Sequence, residues 1–131
     1  MDPIELITPD TIHPPFGYSH VAALPAGSRI VWTAGQVGMT RDAQLAEGWE
    51  AQTRVAFENL GSALGAAGAT WADVFKLTIY VVDTSEMTTV RAVRDQFVNA
   101  SRPPTSTLIK VAGLALPDLL IEVEAVAAVR S

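Results

Sequence analysis

The most constraining feature of this chain is a helical pattern followed at once by a long alternating strand, within residues 50–83. The helical pattern consists of apolar residues that recur on one side of a helix: Ala56, Leu60, Ala63, Leu64 and Ala67. Gly68 can end this helix, because glycine adopts the left-handed conformation without a Cβ clash. Thr70 and Asp73 then have the spacing of a capped turn, and from Val74 the apolar residues alternate. The pattern predicts a helix that packs on the strand following it.

The strand that begins at Val74 has two different faces. Its apolar face consists of Phe75, Leu77, Ile79 and Val81, and its mixed face of Lys76, Thr78 and Tyr80. Such alternation is typical of a strand that buries one face. We therefore predict that this strand lies at the centre of a sheet, with its apolar face against the helix.

The remaining segments complete a pattern of five strands and two helices. The other strands are predicted at residues 18–24, 29–34, 105–111 and 119–129, with the first two joined as a hairpin. Residues 1–15, which are rich in proline, are predicted to be irregular, and residues 35–47 to form a loop. A second helix is predicted after Asp83 and Ser85, which can cap it. The order ββαβαββ predicts an α/β fold, a single domain over residues 1–131, with one mixed sheet and two helices on one face.

Composition excludes several classes of protein. At 131 residues, with 49% apolar and 18% charged residues, the chain suits one compact domain. It has no cysteine, and no apolar run approaches the roughly 20 residues that a membrane span needs. A net charge of −5 disfavours nucleic acid as a partner, and His13 and His20 lack the carboxylate spacing of a metal site. Because the amino terminus does not resemble a signal peptide, we expect a cytoplasmic protein without a membrane partner.

The second face of the predicted sheet indicates an oligomer. Two helices can cover only one face, so the other face has to meet water or another chain. In the last strand this face carries Leu120, Glu122, Glu124, Val126 and Ala128. A face that is partly apolar favours an assembly with polar groups at its seams. The alternative is an ordinary solvent-facing sheet.

Several short motifs, in their order and spacing, point to a family. They are Gly17-Tyr18-Ser19, Trp32-Thr33-Ala34-Gly35-Gln36, Gln52-Thr53, Asn59-Leu60, Ala67-Gly68-Ala69, Asp73-Val74-Phe75-Lys76 and Ile121-Glu122-Val123-Glu124-Ala125-Val126-Ala127. Together they resemble the RidA/YjgF family of reactive intermediate deaminases over residues 17–130. The resemblance implies a chorismate-mutase-like α/β fold assembled as a homotrimer, with small-molecule clefts between subunits. Well-known members of the family hydrolyse reactive enamines and imines to 2-oxo acids and ammonia, without a metal or an organic cofactor.

The resemblance also implies candidate site residues. The family's water-positioning glutamate matches Glu122, which is the catalytic candidate, and its tyrosine near the amino terminus matches Tyr18. The substrate-binding candidates are Tyr18, Thr105, Arg91, Ala34, Gly35 and Thr107. Three of these depart from the family pattern: Thr105 stands in place of a carboxylate-gripping arginine, Ala34 in place of a serine, and Arg91 in place of an asparagine. No metal-binding residue is assigned.

The replacement of arginine by Thr105 bears directly on the substrate. A guanidinium holds a carboxylate by two parallel charge-assisted hydrogen bonds, and losing such a contact in a desolvated site costs about 2–5 kcal/mol. We therefore predict a changed ligand and little hydrolysis of 2-iminobutanoate or 2-iminopropanoate. Arg91, or else Arg102 in the turn after the second helix, is a candidate replacement cation, and the alternative for Arg91 is that it forms a solvated helix pair with Asp95.

Two classes of function remain open from the sequence. The first is a cofactor-free hydrolase of the deaminase type, acting on an enamine, an imine or a related metabolite. The second is a non-catalytic trimer that binds a metabolite and regulates a partner. A ribonuclease or translation inhibitor, as some relatives have been described, is the weakest alternative because the chain is acidic.

Overall fold

The computed structural model describes residues 4–130, so residues 1–3 of the predicted irregular arm and Ser131 lie outside it. The strands are β1 (Glu5–Ile7), β2 (Val21–Ala23), β3 (Arg29–Trp32), β4 (Gln36–Val37), β5 (Val74–Val81), β6 (Thr105–Lys110) and β7 (Ile121–Val129). The helices are α1 (Gly48–Ala66) and α2 (Met87–Arg94), and a 3-10 turn (Trp71–Asp73) precedes β5.

The main sheet is mixed, as predicted. Its strand order is β3-β7-β5-β6, and β4 also pairs with β7. The β5–β6 pair is parallel, whereas β3, β4 and β5 all pair with β7 in the antiparallel sense. Both helices pack on one face of this sheet, and the core lies between the two layers. The prediction of an α/β fold with two helices on one face of a mixed sheet is confirmed.

Helix α1 forms where its apolar stripe was predicted. Its buried residues are Gln52, Thr53, Ala56, Phe57, Leu60 and Leu64. The helix ends as predicted at glycine: Gly68 has φ +79, and the N–H of Ala69 donates to the carbonyl of Leu64 at 2.9 Å. Because the stripe faces β7 and α2, burial of its large side chains supplies much of the apolar area that the fold removes from water.

The connection between α1 and β5 is a capped turn backed by aromatic rings. The backbone N–H of Thr70 donates to Oδ2 of Asp73 at 2.8 Å, which confirms the predicted capping pair. Within this turn Trp71 stacks on Phe57 with a centroid distance of 5.7 Å, and Phe97 also stacks on Phe57, at 5.5 Å, so that the three rings form one cluster. These rings join the turn and the segment after α2 to the core.

Strand β5 alternates as predicted, with one irregularity at its start. Leu77, Ile79 and Val81 are buried against the helices. A register shift lies between Val74 and Lys76, so Val74 is buried and Phe75, which was predicted to lie on the apolar face, is only half-buried. The extra residue of a bulge is not paired across the strand, and this explains the difference.

Three local predictions were wrong. The segments predicted as a hairpin do not pair with each other, because β2 pairs with β1 and β3 pairs with β7. Strands β1 and β4 lie in segments predicted to be irregular or loop, since two or three residues are too short to show a period of two. Asp83 does not cap α2: its Oδ1 accepts the N–H of Ser85 at 2.9 Å, and the helix begins after Glu86 without a side-chain cap.

No helix within residues 4–130 combines the length and the apolar character that crossing a bilayer requires.

Leu60 provides a test of this core. It is fully buried in the middle of α1, and Leu60→Ala should lower the free energy of unfolding by about 2–5 kcal/mol, through lost transfer energy and the cavity left behind. Urea denaturation followed by circular dichroism measures the change. The matched control is Ser62→Ala on the exposed side of the same helix, which should stay within about 0.5 kcal/mol of the parent. Equal effects of the two substitutions would contradict the packing described.

Candidate active site

The face of the sheet away from the helices carries a continuous set of polar groups. Strand register places residues side by side across β6, β5 and β7, and paired residues share a face. The rows are Thr105, Lys76 and Val126; then Thr107, Thr78 and Glu124; then Ile109, Tyr80 and Glu122. We call this surface the open face, because neither helix covers it. Its composition agrees with the mixed face predicted from the sequence.

Glu122 lies against a backbone segment that has no room for a side chain. A Cβ atom on Gly35 would lie 2.2 Å from Oε2 of Glu122. This contact arises because β4 begins directly after Gly35 and pairs with β7, which sets Val37 opposite Glu122. The structure therefore brings together three of the predicted site residues, Ala34, Gly35 and Glu122, which we call the glutamate group.

The two glutamates of the open face have different surroundings. The hydroxyl of Tyr80 donates to Oε1 of Glu124 at 2.5 Å. Glu122 is also half-buried, but within residues 4–130 its carboxylate makes no hydrogen bond or ion pair. Glu124 thus has a hydrogen-bond donor within the protein, whereas the carboxylate of Glu122 can accept hydrogen bonds from a water molecule or a ligand.

A second set of predicted residues meets at the start of β6. The N–H of Ser19 donates to the carbonyl of Pro104 at 3.1 Å, and its hydroxyl donates to Pro103 at 2.6 Å. These bonds place Tyr18 beside Thr105, and Ser19 forms an isolated bridge with Thr105. We call these residues, Tyr18, Thr105 and Thr107, the threonine group, and we include Arg91 because it lies over Phe16, two residues before Tyr18.

The two threonine hydroxyls of the threonine group already have partners. Oγ1 of Thr105 donates to the carbonyl of Phe75 at 2.5 Å, so its single proton is not directed at a ligand. Oγ1 of Thr107 accepts a hydrogen bond from Nζ of Lys76 at 2.5 Å. Lys76 is the register neighbour of Thr105 on the open face, and this cation was not among the predicted site residues. Its place in the mixed face was visible in the sequence, but its proximity to Thr105 depends on the β5–β6 pairing.

Two arginines of α2 contact the residues that precede Tyr18 in the chain. The guanidinium carbon of Arg91 lies 5.3 Å from the centroid of the Phe16 ring. Gly17 has φ +78, and a Cβ atom on it would lie 2.7 Å from Nη2 of Arg94. Arg94 is only 8% exposed. It was not among the site residues predicted from the sequence.

The predicted alternative role of Arg91 is also corrected by the structure. Asp95 forms an ion pair with Arg94, at 3.0 Å, and not with Arg91. The reason is that the guanidinium of Arg91 makes a cation–π contact with Phe16, which lies two residues before Tyr18.

The two groups lie at opposite ends of β5. Thr105 is the neighbour of Lys76, and Glu122 is the neighbour of Tyr80, four residues further along the strand. At about 3.3 Å per residue of strand, the separation is at least about 13 Å. One chain by itself therefore does not bring Glu122 and Thr105 to the same small ligand.

A cavity of about 380 Å³ opens beside the threonine group. Its lining residues are Leu6, Thr8, Pro15, Gly17, Tyr18, Ser19, Ala100, Ser101, Arg102 and Pro103. His20 packs edge-on against Tyr18 with a centroid distance of 5.4 Å, and its Nε2 lies 2.8 Å from the carbonyl oxygen of His13. Among residues 4–130 no group of three His, Asp or Glu side chains is arranged to hold a metal ion.

Comparison with known proteins now decides the family. A family model described as "Endoribonuclease L-PSP" matches residues 8–129. A crystal structure of a Yersinia pestis protein described as a member of the conserved Rid protein family, YyfB, is 39% identical and has a TM-score of 0.87, covering 96% of this chain and 98% of that one. This chain belongs to the RidA/YjgF family.

Two further RidA/YjgF relatives carry information about ligands. The 2-iminobutanoate/2-iminopropanoate deaminase of Salmonella typhimurium is 34% identical over 82% of this chain and 85% of its own length. The crystal structure of Escherichia coli TdcF with bound serine is 29% identical, with a TM-score of 0.71 and full coverage of both chains. The resemblance stated from short motifs is thereby confirmed at the level of the family, and deaminase-type relatives lie at about 30% identity.

Tyr80 provides a pH test of this RidA/YjgF open face. Its hydrogen bond to Glu124 raises the pKa of Tyr80, and burial and the charges of Glu124 and Glu122 act in the same direction. Because the folded-state pKa exceeds the unfolded one, the protonated phenol stabilises the fold below the unfolded pKa, and this contribution is lost as the pH rises through the folded-state pKa. Ultraviolet titration should show one tyrosine that ionises late, and Tyr80→Phe should remove it. Tyr18→Phe is the control, which should leave the late transition in place.

Proposed function

We propose that the protein is a homotrimer whose ligand sites lie between subunits. One subunit contributes the glutamate group to each cleft, and its neighbour contributes the threonine group. Two observations support this arrangement. Glu122 and Thr105 are at least about 13 Å apart within one chain, by strand rise, and the open face exposes large apolar side chains, with Trp32 at 74%, Ile30 at 47% and Ile109 at 40%. Large apolar side chains exposed at both edges of a sheet face that no helix covers favour an interaction site.

We propose that the cleft hydrolyses a C=N bond, and the observation that carries this proposal is the free carboxylate of Glu122. That carboxylate is half-buried and lies against the Gly35 backbone, where it can accept a proton from a water molecule. The water oxygen then adds to the imine carbon, and the proton that Glu122 accepted passes to the nitrogen. Collapse of the adduct breaks the C–N bond, releases ammonia and leaves a carbonyl group. An enamine enters the same sequence after protonation at its β-carbon gives the imine. General-base help of this kind contributes typically about 10²–10⁴-fold.

The proposed substrate is an imine or enamine other than the small 2-imino acids. The Salmonella relative is named for its action on 2-iminobutanoate and 2-iminopropanoate, whose carboxylate needs an anchor. In this chain the Thr105 proton is used on Phe75, which leaves no guanidinium or free hydroxyl at that position. Without an anchor, the imine carbon is not kept within reach of the water, and positioning supplies a large part of such catalysis.

A non-catalytic metabolite-binding trimer is the second candidate. The commitment of Thr105 to Phe75 favours it, because a cleft without a carboxylate anchor can bind a ligand without turning it over. The relative crystallised with bound serine shows that a family member holds a small molecule. A ribonuclease remains the weakest candidate, because the net charge of −5 opposes binding to a phosphate backbone.

Trp32 tests the assembly. Multi-angle light scattering should give three times the chain mass of 13.9 kDa, and Trp32→Glu should shift the protein towards the monomer, because a charge would be buried in the interface. Trp32 is exposed in the single chain, so the substitution leaves the core intact. The matched control is Leu116→Glu, at a residue 45% exposed outside the open face. A monomer in the parent protein would refute the trimer.

Glu122 and Thr105 test the chemistry. Glu122→Gln should abolish hydrolysis of any accepted imine, with little change in Tm, because it removes the proton acceptor and keeps the shape of the side chain. The parent protein should act weakly on 2-iminobutanoate generated in place by a dehydratase, measured as 2-oxo acid formation beside the Salmonella relative.

Equal rates for the two proteins would show that another cation anchors the substrate. Lys76→Met and Arg91→Ala would then identify it, since one lies beside Thr105 and the other lies near Tyr18. Glu122→Gln with full activity and a large loss of stability would instead assign Glu122 to the structure.

A further inference from the structure

Two further cavities contain no residue of the glutamate group or the threonine group, although the first shares Leu6 and Arg102 with the cavity that Tyr18 lines. The first, which we call the apolar cavity after its residue types, has a volume of about 340 Å³ and is lined by Leu6, Trp71, Ala72, Val74, Phe97, Val98, Asn99, Arg102 and Pro104, with nearly equal polar and apolar surface. The second has a volume of about 410 Å³ and is lined by Ile4, Pro25, Ser28, Ala72, Asp73, Arg102, Ala128 and Arg130. Ala72 and Arg102 line both cavities, so the two share a wall.

The apolar cavity has the size and lining of a small-molecule site. Cavities that bind small molecules have volumes of roughly 300–1,000 Å³, with apolar walls and a few polar groups. Its aromatic wall is rigid, because Trp71 and Phe97 lie 5.8 Å apart between ring centroids, and each packs on the buried ring of Phe57. A flat apolar group can stack against this wall.

The second cavity adds positive charge. Both Arg102 and Arg130 line it. In the part of the chain that the structure describes, the ion pairs join Arg54 to Glu50 and Arg94 to Asp95, so neither lining arginine is paired with a carboxylate.

Two further groups of this cavity define its charge. Nη2 of Arg102 donates to the carbonyl of Ile4, which fixes the guanidinium at the wall shared by the two cavities. Asp73 also lines the second cavity, but its Oδ2 accepts hydrogen bonds from the N–H and the hydroxyl of Thr70. The lining therefore has two cations against one carboxylate that is already hydrogen-bonded.

We propose that the two cavities form one binding site for an aromatic monocarboxylate. The ring lies in the apolar cavity against Trp71 and Phe97, and the carboxylate lies near the guanidinium groups of Arg102 and Arg130. Planar guanidinium groups bind carboxylates with paired hydrogen bonds. A singly charged ligand suits the site better than a dianionic phosphate, because Asp73 repels the second charge. The site contains no residue of the glutamate group or the threonine group, and binding to it does not depend on the activity of the inter-subunit cleft.

Binding is measured with phenylacetate as the probe and the uncharged phenylacetamide as its matched control. Isothermal titration calorimetry should show saturable binding of phenylacetate, with the amide about tenfold weaker or more, since charged hydrogen bonds are lost. In nuclear magnetic resonance spectra, the indole N–H signal of Trp71 should move, while those of Trp32 and Trp49, which line neither cavity, stay in place. Phenyl phosphate should bind no more tightly than phenylacetate.

Two substitutions test the site from different sides. Arg130→Gln should weaken phenylacetate about tenfold or more by removing one charged donor, and Ala72→Leu should weaken it by filling the shared wall. Both residues are exposed, so circular dichroism and Tm should stay close to those of the parent. The matched control is Arg41→Gln, at an exposed residue that lines neither cavity, which should leave binding unchanged.

Several outcomes would overturn the proposal. These are no binding of phenylacetate, equal affinity for the acid and the amide, tighter binding of phenyl phosphate, or binding unaffected by both substitutions. Chemical shift changes at Tyr18 and Thr105 without a change at Trp71 would place the ligand in the inter-subunit cleft instead. The activity of that cleft enters none of these measurements, so failure here leaves the proposed hydrolysis untouched.

Discussion

The antiparallel pairing of β5 with β7 is the interaction on which the rest of the structure depends. Its register directs Leu77, Ile79 and Val81 towards the helices and sets Tyr80 beside Glu122 on the open face. A slip by one residue would exchange the two faces of a strand. The apolar side chains would then meet water, and Glu122 would enter the core. The same register therefore determines both the packing of α1 and the position of the proposed catalytic carboxylate.

Different hydrogen bonding gives neighbouring polar residues different roles. Tyr80 donates to Glu124 and leaves Glu122 without a hydrogen-bond partner among the described residues. Phe75 accepts the proton of Thr105, and Thr107 accepts a proton from Lys76. The open face thus contains one carboxylate without a hydrogen bond, Glu122, and two threonine hydroxyls that already have partners. This difference in hydrogen bonding supports the proposal of a cleft formed by two chains that binds the carboxylate of a small substrate weakly.

The sequence predicted elements whose signal is local. The stripe of α1, its end at Gly68, the Thr70–Asp73 cap and the alternation of β5 each follow from a few neighbouring residues, and the structure confirms them. The hairpin prediction was wrong because β2 and β3 find partners far away in the chain. Arg94 was missed because an arginine in an amphipathic helix ordinarily extends into water, and nothing in the local pattern marks its contact with Gly17.

By itself, the sequence determined the α/β class, the family and the place of Glu122 on the strand face away from the helices, since periodicity and motif order are properties of the chain alone. The tertiary structure decided which glutamate stays unpaired, that Lys76 lies beside Thr105, and that the site groups stand at opposite ends of β5. It also decided that Arg102 and Arg130, far apart in sequence, line one cavity. These facts depend on strand register and on long-range packing, and a local pattern of residues carries no information about distances between segments that meet only after folding.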